Sequence, residues 1–205
     1  MQCGRFMKNS NITKKIVAGK FKGKTLKLPS KETTRSSKGI VLESFFNTIQ
    51  FAIIDATFVE VFSGSGSIGL EALSRGAQKI VFMEKDKEAL KVLKENIAQT
   101  DPSSCEVVAG DSFVNIASVV ATLKREGREA FFYIDPPFSI REGMEDIYEK
   151  MIAMIASLPK EAVKMIVLEH MSGLELPEEI GVFSKKKSKK FGNTSLTYYL
   201  SEEME

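Results

Sequence analysis

Cysteine, histidine and tryptophan are nearly missing from this chain of 205 residues: there are two cysteines, one histidine and no tryptophan. Two cysteines, Cys3 and Cys105, exclude a disulfide framework and a multi-cysteine zinc site, and they suit a reducing cytoplasm. A lone histidine, His170, excludes paired-histidine metal motifs and argues against Ser-His-Asp chemistry, so no metal is expected. No apolar run reaches the ~20 residues of a membrane-spanning helix, and no basic-then-apolar start resembles a signal peptide. What remains, 43% hydrophobic and 27% charged, is the composition of a water-soluble protein with one sizeable core.

The net charge of +2 conceals a strong asymmetry. Residues 1–40 hold eleven Lys or Arg and a single acid, Glu32, for a net +10, against −8 in the remainder. A basic arm on a mildly acidic body points to a polyanion partner, most simply nucleic acid, or to a solvated tail. Ile16-Val17-Ala18-Gly19 and Thr25-Leu26-Lys27-Leu28 read as the two strands of a β-hairpin, and Pro29 stops the second. Lysines ordered on a hairpin lose less entropy on meeting phosphate than lysines on a loose tail. Ile40, Val41, Ser44, Phe45, Thr48 and Ile49 then recur at helical spacing, as a short helix docking the arm on the body. The expected division is a basic arm over 1–38 and a main domain over 39–205.

From Thr57 onward strand and helix alternate. Near-continuous apolar runs at Thr57–Phe62, Lys79–Met83, Glu106–Ala109, Ala130–Ile134 and Val163–Leu168 suit parallel strands covered on both faces. Amphipathic segments separate them, one capped by Asp86 and one by Asp111. Gly181–Lys187 and Ser195–Leu200 have no helix between them and must pair antiparallel. The expectation is an α/β fold with a mostly parallel seven-stranded sheet, finished by a C-terminal antiparallel hairpin and preceded by a small basic one.

Two constellations carry chemistry. Glu60-Val61-Phe62-Ser63-Gly64-Ser65-Gly66-Ser67-Ile68-Gly69 follows the first parallel strand and opens a helix. Small residues admit close approach of a ligand to backbone N–H groups at the helix start. Glu84 ends the next strand, where a carboxylate accepts ribose hydroxyls. Asp111-Ser112 follows the third strand and either takes the amine of an adenine or caps the next helix. The candidate cofactor residues are Glu60, Phe62, Ser63, Gly64, Gly66, Ile68 and Gly69 of the loop, with Glu84, Lys85, Asp111 and Ser112 beyond it. This pattern admits NAD and S-adenosylmethionine alike.

The second constellation, Asp135-Pro136-Pro137-Phe138, ends the fourth strand. Two prolines remove two N–H donors and leave acceptors beside one carboxylate and one ring. Asp135 and the Pro136 carbonyl can each accept an N–H of an amine on a planar base, directing its lone pair outward, while Phe138 stacks. These four residues are the candidate catalytic group.

With these residues the sequence resembles the class I S-adenosylmethionine methyltransferases, and among them the ribosomal small-subunit methyltransferase D family. The similarity covers about residues 15–200. It is carried by Ile16–Lys20 with Gly23-Lys24, by Arg35 through Glu43-Ser44-Phe45-Phe46-Asn47, by Val61–Ala77, by Asp135–Phe138 and by Phe191–Thr194. The chain departs from the pattern at Ser36 and Ser37, which stand for Pro-Thr, at Leu42, which stands for Arg, and at Glu60, which stands for Asp. The resemblance implies S-adenosylmethionine as cofactor and a Rossmann-like fold. It also implies methylation of guanine N2 in 16S rRNA (guanine 966), on a small-subunit particle, by a cytoplasmic monomer with no membrane association. Lys20, Lys22, Lys24 and Arg35 are the expected RNA contacts. Rival readings are adenine-N6 methylation of DNA, protein-glutamine methylation and a non-catalytic RNA-binding assembly factor. His170 reads as structural. The run Lys185, Lys186, Lys187, Lys189, Lys190 reads either as a solvated sheet edge or as a second phosphate contact.

Overall fold

The structure, a computed structural model, describes residues 13–29, 37–136 and 146–201. At its start β1 (Thr13–Lys15) pairs antiparallel with β2 (Thr25–Lys27). The first strand therefore ends where the sequence pattern places its beginning. Ile16–Lys24 instead form the connecting loop, closed by the Ile16 N–H on the Lys24 carbonyl at 3.0 Å and the Gly23 N–H on the Ile16 carbonyl at 2.9 Å. The apolar run records burial rather than strand pairing. Ile16, Phe21 and Leu26 enter the main core, and Val17 stays exposed.

Helix α1 (Ser37–Thr48) follows. Its buried side chains include Val41, Leu42, Phe45 and Phe46, while Ile40, expected on the buried face, is 63% exposed. The buried face is broad because α1 has two neighbours. The Phe45 ring lies 4.9 Å from Tyr133 in the sheet, and Phe46 lies 4.7 Å beneath the Arg75 guanidinium. Leu42 is thus a core residue.

The remaining elements, in chain order, begin with β3 (Thr57–Val61), α2 (Ser67–Ser74), β4 (Lys79–Glu84), α3 (Lys87–Ala98) and β5 (Cys105–Ala109). They continue with α4 (Ser112–Arg125), β6 (Ala130–Ile134), α5 (Ile147–Ala156) and β7 (Val163–Met171). The chain finishes with β8 (Glu179–Ile180), β9 (Phe183–Phe191) and β10 (Thr194–Ser201). The main sheet has the order β5-β4-β3-β6-β7-β10-β9-β8. Strands β3 to β7 run parallel, and β10 and β9 run antiparallel as their missing helix requires. The seven expected strands are all present, and β8 adds a two-residue strip against Phe183–Ser184 at one edge. One face of the sheet packs against the hairpin, α1, α2 and α3, the other against α4 and α5. The chain leaves β3 toward β4 and β5 on one side, then returns to lay β6 and β7 on the other. That reversal opens a crevice at the carboxyl ends of β3 and β6, where open α/β sheets bind ligands. No helix among the described residues is long and apolar enough to cross a membrane.

Candidate active site

The glycine loop is held by carboxylates from its own strands. Glu60, buried in β3, accepts the N–H groups of Ile68 at 3.2 Å and Gly69 at 2.8 Å, which caps the start of α2. Glu84, at the end of β4, accepts from the Gly64 N–H at 2.7 Å through Oε2 and from Lys85 and Asp86 through Oε1. A carboxylate oxygen has two lone pairs, so Oε2 keeps one for a ligand hydroxyl. Ser63 turns inward, its N–H 2.9 Å from the Met83 carbonyl. Gly66 has φ 76°, and a Cβ there would stand 2.3 Å from Leu93 Cδ1. Gly69 serves packing: a Cβ would meet Phe82 at 2.5 Å and Glu60 Oε2 at 2.9 Å.

At the next strand end Asp111 caps α4 by accepting the Phe113 N–H at 2.9 Å, and its other oxygen faces Lys85 Nζ at 3.5 Å. Ser112 is buried behind it. Phe62, which leaves β3 with φ 62°, places its ring 5.3 Å from that of Phe113. These two rings make an apolar wall beside an acceptor, a fitting seat for a purine. Phe113 escaped the sequence reading because one aromatic on a helical stripe looks like core.

Across the crevice, β6 delivers Asp135 half-buried and Pro136 buried; Pro137 and Phe138 lie outside the described residues. The pairing of Ile134 with Leu168 sets Asp135 alongside Glu169 of β7, and Glu60 pairs with Tyr133. Strand alternation puts Glu60, Tyr133, Asp135 and Glu169 on one face. The Tyr133 hydroxyl donates to Glu169 Oε2 at 2.6 Å. Burial, then the charges of Glu169, Asp135 and Glu60, push the phenol well above its ordinary range. Three carboxylates at adjoining strand ends make a negative field that suits a cationic ligand centre. The sequence hint for this pair was an acid ending an apolar strand, Leu168-Glu169.

His170 faces away. In the neutral tautomer its Nδ1–H donates to the Met171 carbonyl at 3.0 Å, and its Nε2 accepts the Thr197 hydroxyl at 2.8 Å. Burial lowers its pKa, and both ring nitrogens are engaged within the sheet. No group of three His, Cys, Asp or Glu side chains among the described residues has the arrangement of a metal site.

The hairpin docks along α2. Glu71, buried in α2, accepts the Val17 N–H at 2.7 Å and the Ala18 N–H at 3.1 Å, and Arg75 Nε at 2.7 Å. The Lys20 N–H donates to the Ser74 carbonyl at 2.7 Å. The loop with Lys20, Lys22 and Lys24 therefore lies at the C-terminal end of α2, about 12 Å of helix from the glycine loop. The Lys24 ammonium rests on the Gln99 carbonyl. Lys14, not among the expected contacts, reaches Ser67 Oγ at 3.2 Å beside the glycine loop. Arg35 lies outside the described residues. Asn96 of α3 joins the parts: its amide donates to the Ser65 and Lys27 carbonyls at 2.9 Å each and accepts the Lys27 N–H at 2.9 Å. Glu71 and Asn96 showed in the sequence only as polar residues on otherwise apolar helix faces.

A glycine loop between two carboxylates, an acceptor-rich fourth strand end and an antiparallel finish to a parallel sheet define a class I methyltransferase, whose cofactor is S-adenosylmethionine. Glu84, the Phe62–Phe113 wall and the carboxylate cluster fit its ribose, adenine and sulfonium. Over residues 14–200 the chain matches the family described as conserved hypothetical protein 95 and belongs to it, alongside the ribosomal small-subunit methyltransferase D proteins. It is 28% identical over 189 residues to ribosomal RNA small subunit methyltransferase D of Escherichia coli K12, covering 92% of this chain and 90% of that protein. The protein of the same name from Haemophilus influenzae is 35% identical over 127 residues, 60% of this chain and 63% of its own length. Among solved structures, the Escherichia coli protein yhhF superposes with a TM-score of 0.72 at 28% identity, over 93% of this chain and 98% of that one.

Proposed function

We propose that the chain is an rRNA methyltransferase that transfers a methyl group to the exocyclic N2 of a guanine in 16S rRNA, guanine 966 by family likeness. The observation that carries this reading is the position of Asp135 and Pro136, one strand across the crevice from the glycine loop. The cofactor supplies an electrophilic methyl on a sulfonium. Asp135 and the Pro136 carbonyl accept the two N–H groups of the amine and hold its lone pair toward the methyl. The Asp135 and Glu169 carboxylates would offset the positive charge that methylation puts on the nitrogen, and Asp135 or water would take up the proton that the methylated amine releases. Positioning and exclusion of water do most of the work, and no strong base is required. Phe138 stacks on the base, and Pro137 keeps the loop free of a competing donor. Lys20, Lys22 and Lys24 contact phosphates remote from the target and Arg35 is a further RNA contact, so residues 1–38 position RNA while 39–205 perform the chemistry. The enzyme acts as a monomer on a small-subunit particle.

Calorimetry with S-adenosylhomocysteine and NAD, followed by mass-spectrometric mapping of rRNA from cells with and without the protein, tests the reading. Micromolar binding of S-adenosylhomocysteine, none of NAD and loss of one N2-methylguanosine are expected. Asp135→Ala should keep cofactor affinity within a few-fold and lose nearly all turnover. Full turnover by that variant, or a lost mark on adenine, overturns the assignment.

A further inference from the structure

Strand β9 carries five lysines in nine residues and no acid. Lys185 is engaged by Glu178 and by the Leu176 carbonyl. The neighbouring lysines are placed otherwise. Cross-strand pairing of Lys189 with Leu196 and Lys187 with Tyr198 puts both on the face that holds α1. There Lys189 Nζ donates to Ser44 Oγ at 3.1 Å, and Lys187 Nζ stands 5.4 Å over the Tyr198 ring. A hydroxyl and a ring steady these ammonium groups without neutralising them. Burial, then the charge of Lys189, lowers the pKa of Lys187. Folding thus sets two like charges side by side, a repulsion that a polyanion relieves.

The strand also lies in the right place. Its end, Phe191, pairs with Thr194, which pairs with Met171 at the close of β7. That is the crevice end of the sheet, three strand spacings or about 14 Å from β6. Of the hairpin lysines, Lys20, Lys22 and Lys24 lie at the other end of α2, Lys14 donates to Ser67, and Lys27 is paired with Glu95 at 2.7 Å. A sheet edge guarded against strand pairing needs a charge or two, not a same-face pair braced against a helix.

We infer that Lys187 and Lys189 of β9, flanked by α1, grip the phosphate backbone of the RNA whose base enters the crevice. This rests on the rRNA reading above. The test is a salt titration of binding to a 16S rRNA fragment by the intact protein and by a K187Q/K189Q variant. Each lost phosphate contact removes ~0.7 from the slope of log affinity against log salt for single strands. The variant should bind at least tenfold more weakly at moderate salt with a slope shallower by about 1.4, while S-adenosylhomocysteine affinity and melting temperature stay put. A K187R/K189R variant should bind as the parent does. Parental affinity and slope in the glutamine variant overturn the inference alone. An intact protein that binds no RNA, or that prefers polyglutamate, overturns the rRNA reading and this inference with it.

Discussion

The two ends of helix α2 are built by different parts of the chain. Its N-terminal end is closed from nearby: Glu60 takes the Ile68 and Gly69 N–H groups eight and nine residues on. The C-terminal end is closed from far away, by a hairpin whose Lys20 and Phe21 N–H groups reach Ser74 over more than fifty residues. A glycine seals each end. Gly66, φ 76°, faces a movable Leu93 side chain, whereas Gly19, φ 81°, would put a Cβ 1.7 Å from the Ser74 carbonyl oxygen. One end is a glycine loop held by local bonds, and the other is a docking joint. A short helix can serve both because its orphan N–H and C=O groups lie at opposite poles.

The comparison breaks most readily at the glycines. Gly19→Ala combines left-handed strain with a backbone clash that no rotamer relieves, and should cost about 3 kcal/mol in a urea titration. Its S-adenosylhomocysteine affinity should stay within a few-fold. Gly66→Ala should cost about 2 kcal/mol, since Leu93 can turn aside, but weaken S-adenosylhomocysteine tenfold or more by calorimetry. If the two effects exchange places, the division of labour along α2 is wrong.

Matched carboxylate variants sharpen it. Glu71→Gln and Glu84→Gln each set an amide group against backbone N–H donors, at about 1–3 kcal/mol of stability. Only Glu84→Gln should also reduce cofactor affinity. Tyr133→Phe removes the donor to Glu169 and should cost about 1–2 kcal/mol while leaving α2 untouched.

The smallest effects come from proton uptake and release away from α2. All four tyrosines are raised above their ordinary value, chiefly by burial, Tyr199 to about 12. Unfolded tyrosines ionise near pH 10. Their neutral forms thus support the fold fully below that pH and lose hold as pH rises toward the folded values. Phenolate absorbance and loss of circular dichroism should rise together above pH 10. His170 has the opposite sign, its folded pKa lying below the ordinary 6.5. Its contribution is present above that value and is lost as pH falls through the folded pKa, seen as a small drop in melting temperature that His170→Asn removes.

How much could be read from residues alone follows the same line. The loop, Glu84 and Asp135 were legible because strand, turn and helix are contiguous and their carboxylates fall at fixed spacings. The hairpin register was not, since Ile16 is apolar to dock on α2 rather than to pair in β1. Ile40 misled for a related reason: a helix wedged between a sheet and Arg75 buries adjacent pairs, Val41-Leu42 and Phe45-Phe46, instead of one stripe. Phe113, Glu169 and Asn96 act through partners on other elements, which local spacing does not encode.

Asn96 makes the hairpin difficult to treat as an exchangeable cassette. One uncharged amide group is shared between the strand that ends the hairpin and the glycine loop. A chimera that grafts a relative's hairpin onto this chain meets Asn96 through the main-chain atoms of position 27, so the placement of that backbone matters more than its side chains. A donor strand that sits displaced at position 27 forfeits two bonds to Asn96 at once, and the graft loosens the glycine loop that the same amide group holds.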